Sequence, residues 1–224
     1  MPRPTHLFSD AQKSAVEDAI FDAEQKTGAE IVVVVAARSG GYRRVADVFA
    51  LSIAVAVLFV VMWVFGDSSG QWVVPTKTHL HPGLIVGVLV GTFAAMAAIA
   101  DAAPAIVRTV AGHGKLKRHV RRLGPSYFQQ LRVRSTEDGV GVLIYVSLFE
   151  RMVMIVPDDA AAEMVNAGEL ESVREKIRAG IRARQIPEAL AVAITEAGEI
   201  LSTKLPAPKK NMDQLPNELH LIDY

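Results

Sequence analysis

Two long apolar runs dominate the pattern along the chain. Val48–Phe65 (VFALSIAVAVLFVVMWVF) and Gly83–Ala100 (GLIVGVLVGTFAAMAAIA) are eighteen residues each and carry no charge. At about 1.5 Å rise per residue, each helix comes close to the ~30 Å hydrocarbon thickness of a bilayer. Asp47 and Asp67 mark the water-facing ends of the first, and Asp101 and Pro104 close the second. The pattern predicts a transmembrane helical hairpin over 45–107, with a short polar connection that favours insertion over a buried pair of core helices. Trp63 and Trp72 flank the loop side, where indole rings favour the interface. Gly87 and Gly91 form a GxxxG whose face packs on the first helix or on another copy. Asp101 reads as an interfacial carboxylate near Arg108 rather than part of an ion pathway.

Outside the hairpin the periods are those of an α/β domain. Ser9 and Gln12 make a capping box, and Val16, Ala19, Ile20 and Ala23 recur on one face, predicting a helix over 10–26. Ile31–Ala37 (IVVVVAA) is a short, β-branched, continuously apolar run, suited to a strand covered on both faces. Ser39, Gly40 and Gly41 release the chain toward the membrane. After the hairpin, Lys115–Leu131 is helical in pattern, with Gly124 and Pro125 expected to break or kink it. Val140–Phe149 and Met152–Val156 then predict a strand hairpin around Glu150 and Arg151, with a longer loop possible because Glu-Arg is not a favoured turn pair. Asp158 or Asp159 caps a helix starting at Ala160, and further helices are expected over 170–182 and from Pro187 to about Thr203. The ending reads as irregular until its last residues.

A strand, a helical crossover and a second strand predict a parallel pair, and the tight turn makes the third strand antiparallel to the second. The hairpin is therefore an insertion. Residues 1–44 and 108–206 form one split domain, 45–107 the hairpin, and 207–224 a tail.

Charge sets orientation and removes several functions. The 24 basic residues balance the 24 acidic ones, which argues against a general nucleic-acid binder. Without cysteine there is no disulfide framework, thiolate metal site or thiol catalysis. Arg38, Arg43 and Arg44 precede the first apolar run, and Arg108, Lys115, Lys117, Arg118, Arg121, Arg122, Arg132 and Arg134 follow the second. Lys77 alone lies between the runs, so both termini are expected in the cytoplasm of a bacterial inner membrane. MPRPTHLFSD has no apolar core of a cleaved signal. The basic patch Lys115, Lys117, Arg118, Arg121 and Arg122 lies just beyond the membrane exit, where anionic headgroups account for it without nucleic acid as a further partner.

The segments TGAEIVVVVAARSGGYRR before the hairpin, GVLIYVSLFERMVMIVPDD after it and LPNEL near the end carry a resemblance. Over about residues 6–222 the chain resembles the membrane-inserted bacterial branch of the TPM domain family, which groups a thylakoid lumen protein of photosystem II repair, bacterial membrane proteins and a receptor-auxiliary protein. The resemblance implies an α/β/α sandwich with a small mixed sheet, here interrupted by a two-helix transmembrane hairpin. It also implies divalent-metal binding and modest phosphatase activity in relatives. PDDAAAEM stands where the more typical domain carries a Gly-Tyr-Gly-Leu-Glu-type loop, and no catalytic residue carries over by name.

The residues themselves suggest one site. The predicted topology brings Glu30, Glu137, Asp138, Asp158, Asp159 and Glu163 toward one sheet edge. Of these, Glu30, Asp138, Asp158 and Asp159 are the metal candidates, with oxygen ligands suited to Ca²⁺ or Mg²⁺. The bland alternative is a helix cap and solvated strand ends. His79 and His81 lack a third ligand in suitable spacing. Ser147 and Arg151 read as packing and turn residues rather than a nucleophile and phosphate anchor, and no Walker A, nucleophile elbow or HExxH sequence is present. The expectation is a membrane-anchored, non-catalytic interaction or auxiliary module whose partners are the lipid bilayer and other membrane proteins. The alternative is a divalent-metal-dependent phosphatase.

Overall fold

The computed structural model describes residues 3–65, 81–133, 140–166, 168–207 and 216–223. They fall into two compact units, one of 1–40 with 114–224 and one of 41–113.

The first unit is built on a four-stranded mixed sheet. β1 (Glu30–Ala36), β2 (Gly141–Ser147), β3 (Met152–Pro157) and β4 (Leu219–Ile222) lie in the order β3-β2-β1-β4. β1 and β2 are parallel with Glu30 opposite Gly141, and β2 and β3 are antiparallel with Ser147 opposite Met152. Both pairings follow the sequence expectation. The strand hairpin has four connecting residues, 148–151, and Arg151 takes the left-handed conformation (φ 53°) that an unfavoured turn pair would otherwise strain. β4 lies in the segment set apart as a tail and pairs parallel to β1, Val33 opposite Leu219. Asp223 fastens its end, accepting from the Thr5 amide (3.2 Å) and hydroxyl (2.7 Å).

Helices cover both faces. On one, Ile31, Val33, Val35, Val142, Ile144 and Val146 meet α2 (Asp10–Glu24), α8 (Glu171–Ala183) and α9 (Ile186–Lys204). The capping box of α2 forms: Ser9 Oγ accepts from the Gln12 amide at 3.2 Å and Gln12 Oε1 from the Ser9 amide at 3.0 Å. α2 and α9 cross closely at Gly198, where a Cβ would stand 2.6 Å from that of Ala23. On the other face, Val32, Val34, Leu143 and Tyr145 meet α6 (His113–Gln130) through Val120 and Phe128. The short helices α1 (Pro4–Leu7) and α7 (Asp159–Met164) complete this unit. Apolar strands covered on two sides explain the continuous rather than alternating runs.

α6 corrects the break expected at Gly124 and Pro125. It continues through Gly124 and Pro125 without a break. Pro125 lies on the exposed side, and Gly124 lies on the buried side, a Cβ there falling 2.9 Å from Met154 Sδ. Burial of Leu116, Val120 and Phe128 holds the helix together across the proline.

The second unit contains α3 (Arg43–Phe65), α4 (Pro82–Ala102) and α5 (Pro104–Ala111). α3 and α4 are long and apolar enough to cross a membrane. They pack on each other, and Ala50 and Ala54, one turn apart on α3, are fully buried. Small side chains at this spacing allow close helix approach. Gly87 and Gly91 instead lie on the exposed side with open space at their Cβ positions. The small residues that are buried in this unit thus include the alanines of α3, and the glycine face is left outward. His81 caps α4, its Nδ1 accepting from the Gly83 amide at 3.1 Å. His79, Trp72 and Lys77 lie outside the described residues.

Candidate functional site

The edge at which β1 and β2 begin and β3 ends is where the acidic candidates were expected. The register does bring Glu30, Gly141 and the residue after Pro157 to one edge. Asp158 there is buried and fully committed to the backbone. One carboxylate oxygen, Oδ1, accepts from the Ala161 amide at 2.7 Å, capping α7, and Oδ2 accepts from the Gly141 amide at 3.0 Å. Its own amide donates to the Gly141 carbonyl at 2.8 Å. Asp158 thus extends the β2–β3 ladder by one rung and starts the next helix. Glu30 is buried at the first position of β1 and donates its amide to the Val140 carbonyl at 3.1 Å. Asp159 and Glu163 are exposed, while Glu137 and Asp138 lie outside the described residues. Among the described residues no group of three or more histidine, aspartate or glutamate side chains could hold a metal ion. At this edge the Asp158 carboxylate serves to close backbone hydrogen bonds.

The opposite edge carries a denser polar cluster that was not expected as a unit. Glu150, in the strand turn, accepts the Ser39 amide at 2.8 Å on Oε1 and the Ser147 hydroxyl on Oε2. Ser39 Oγ donates to Ser147 Oγ at 2.8 Å and lies 2.9 Å from the Tyr145 hydroxyl. All four side chains are buried, and the Tyr127 ring stacks on Tyr145 with centroids 5.7 Å apart. Burial pushes the Tyr145 phenol up to about 12, opposed by the hydrogen bond from Ser39. A serine bonded to a carboxylate has the makings of a nucleophile, yet Ser147 is wholly enclosed. Substrate has no approach to its hydroxyl here. The cluster fixes the point where β1 gives way to Gly40 and Gly41, so its work is to hold the exit of the chain from the sheet. The sequence does contain a signal for it. Tyr145 and Ser147 share one face of a strand buried throughout, and buried polar groups need partners.

The basic patch lies on the outer side of α6, with Lys115, Lys117, Arg118, Arg121 and Arg122 all exposed. An open depression of about 410 Å³ lies between Glu169 and Ile200, Thr203 and Lys204 of α9. Glu169 and Lys204 in it pair at 3.6 Å.

A helix-covered mixed sheet with two apolar helices inserted between its first and second strands defines the class of the protein. A family model for the TPM domain matches residues 3–61, from α1 through most of α3. The chain is similar to the TPM domain over that span. Its fold is similar to that of the BA42 protein from the psychrophilic bacterium Bizionia argentinensis, determined by NMR. The TM-score is 0.55 at 17% identity, over 95% of this chain and 94% of that one. No protein of curated description matches the chain.

Proposed function

We propose that the protein is a membrane-tethered, non-catalytic interaction module that assists assembly, maintenance or quality control of other membrane proteins. The observation that carries the reading is the uncovered surface of α3 and α4. Only 11% and 6% of their most apolar windows are buried within the chain, whereas a core helix pair would be mostly covered. Phe59, Trp63, Val64, Phe65, Val86 and Val90 all face outward, a surface suited to lipid rather than water. β1 and β2 lie side by side although the apolar helices separate them in the chain, so both strands share one side of any membrane. Two crossings satisfy that parity. The surplus of lysine and arginine outside the hairpin favours the cytoplasm, and an inner membrane, for that side.

The non-catalytic part rests on Asp158 and Ser147, the two groups best placed for chemistry. Each is buried, and each hydrogen-bonds within the fold. The test is phosphate release from an aryl phosphate by the full chain in detergent, with chelator or with Ca²⁺, Mg²⁺ or Mn²⁺. Beside it runs Asp159→Ala, which removes an exposed carboxylate without touching the cap. No turnover above the chelated control is expected. Metal-dependent turnover lost in that variant would replace this reading with the phosphatase. Crosslinking in native membranes should recover reproducible membrane-protein partners, and protease added outside sealed right-side-out vesicles should leave the α/β domain intact.

A further inference from the structure

We propose that the outer face of α6 is a docking surface for anionic lipid headgroups, laying the α/β domain against the leaflet from which the hairpin emerges. The inference rests on the membrane tether proposed above and adds a partner and an orientation to it. α6 divides its residues cleanly. Leu116, Val120, Gly124 and Phe128 are buried on the sheet side, while Lys115, Lys117, Arg118, Arg121 and Arg122 are exposed. Lys115, Arg118, Arg121 and Arg122 recur at the three- and four-residue spacing that gathers them on one strip of the helix.

The charge on this strip is unusual within the chain. The sequence holds no acidic residue from 102 to 136. Among the described residues none of these five cations has a carboxylate partner. On α2 and α8, by contrast, cations are matched: Arg178 pairs with Glu171 and Glu175, Lys176 with Glu196 at 2.8 Å and Lys13 with Glu17 at 3.5 Å. In a chain of zero net charge, an unmatched strip is a local feature that invites an external anion. Position decides which. Lys115 follows Ala102, the end of the second apolar helix, with only the eight-residue α5 and four flanking residues between them, so a headgroup layer is always within reach at high effective concentration. A nucleic acid would have to be recruited from solution by a chain with no overall positive charge. With α6 on the lipid, the layer of α2, α8 and α9 on the other sheet face is the one presented to protein partners.

The absence of cysteine makes the test direct, because one introduced thiol is unique. Ser126→Cys places it on the exposed side of α6 and Val192→Cys on the exposed side of α9, in the full chain. Both are labelled with a polar maleimide in nanodiscs of phosphatidylcholine alone and of phosphatidylcholine with phosphatidylglycerol. The α6 thiol should label at least about fivefold more slowly in the anionic discs, the factor that one basic residue near such a surface contributes. The α9 thiol should not change. High salt and the R118E/R121E/R122E variant should each abolish the slowing. Equal rates in the two lipids would overturn the inference, as would slowing that survives charge reversal. Slowing produced by added duplex DNA in neutral discs, and not by phosphatidylglycerol, would overturn it in favour of nucleic acid. Failure of the protein to enter discs at all would sink the tether as well, whereas disc-bound protein with equal rates would sink only the docking surface.

Discussion

Asp158→Ala removes two acceptors from one buried position, and the fold states what that costs. The Ala161 amide loses its cap, worth about 0.5–2 kcal/mol. The Gly141 amide at the start of β2 loses its partner in a dry environment, worth about 1–3 kcal/mol for a buried donor left unsatisfied. Together these give about 1.5–5 kcal/mol, a large share of the ~5–15 kcal/mol that holds a typical domain. Asp158→Asn should lie between, because its remaining carbonyl oxygen keeps one bond while its amide group meets the other N–H donor to donor. Asp159→Ala, on the exposed side, should shift stability by less than about 0.5 kcal/mol. The assay is hydrogen exchange of peptides from β2 and β3 in detergent-solubilised protein, since the two tryptophans belong to the apolar unit and report poorly on the sheet. Asp158→Ala should exchange about tenfold to several thousandfold faster than wild type. Unchanged protection, combined with a Ca²⁺-induced slowing that the substitution abolishes, would refute the structural role and return Asp158 to the metal ligands.

Two further outcomes follow from packing and burial. Gly198→Ala should destabilise the domain by about 1–3 kcal/mol, because the new methyl group meets Ala23 at 2.6 Å. Gly114→Ala, in α6 with nothing within 4 Å, should instead stabilise by up to about 1 kcal/mol, and chemical unfolding of the two variants checks the opposite signs. An ultraviolet titration should find one of the four tyrosines ionising near 12, and Tyr145→Phe should remove that step. Between about pH 10 and 12 the folded chain keeps a proton that the unfolded chain has released, so Tyr145 makes stability fall as pH rises through that window. A tyrosine titration complete near pH 10 would contradict the enclosed cluster.

Local signals made most of the fold legible. The capping box at Ser9, the unbroken apolar run of β1 and the β2–β3 hairpin are patterns of neighbouring residues, and each forms. The two apolar helices are longer than their charge-free runs because Arg43 and Arg44 join the first turn of α3 and Asp101 the last turn of α4. Features that depend on distant partners were not legible. β4 is four residues with a histidine in the second position, and only the edge of β1 makes it a strand. The Pro125 signal was outvoted by the buried side of α6. At the acidic edge, strand order placed Glu30 and Asp158 correctly, but order does not say which way a carboxylate turns. The bond from Gly141 to Asp158 needs the β2–β3 register, and the Ser39–Glu150 link needs two loops far apart in the chain. Spacing in the sequence contains neither.

The pairing of Glu30 with Gly141 imposes an order on biogenesis. β1 leaves the ribosome early and has no neighbour until both apolar helices have been synthesised and β2 has followed. Its last partner, β4, arrives only near the end of the chain. During that interval IVVVVAA is an unpaired, strongly β-forming edge, the kind of segment that aggregates or attracts a chaperone. Synthesis of both apolar helices therefore precedes sheet closure. An insertion error that leaves one helix uncrossed would strand β1 and β2 on opposite sides of the bilayer, and no sheet could form. Under the membrane tether proposed above, completion of the domain would thereby serve as a proofreading step on topology, with failed chains left exposed to proteolysis.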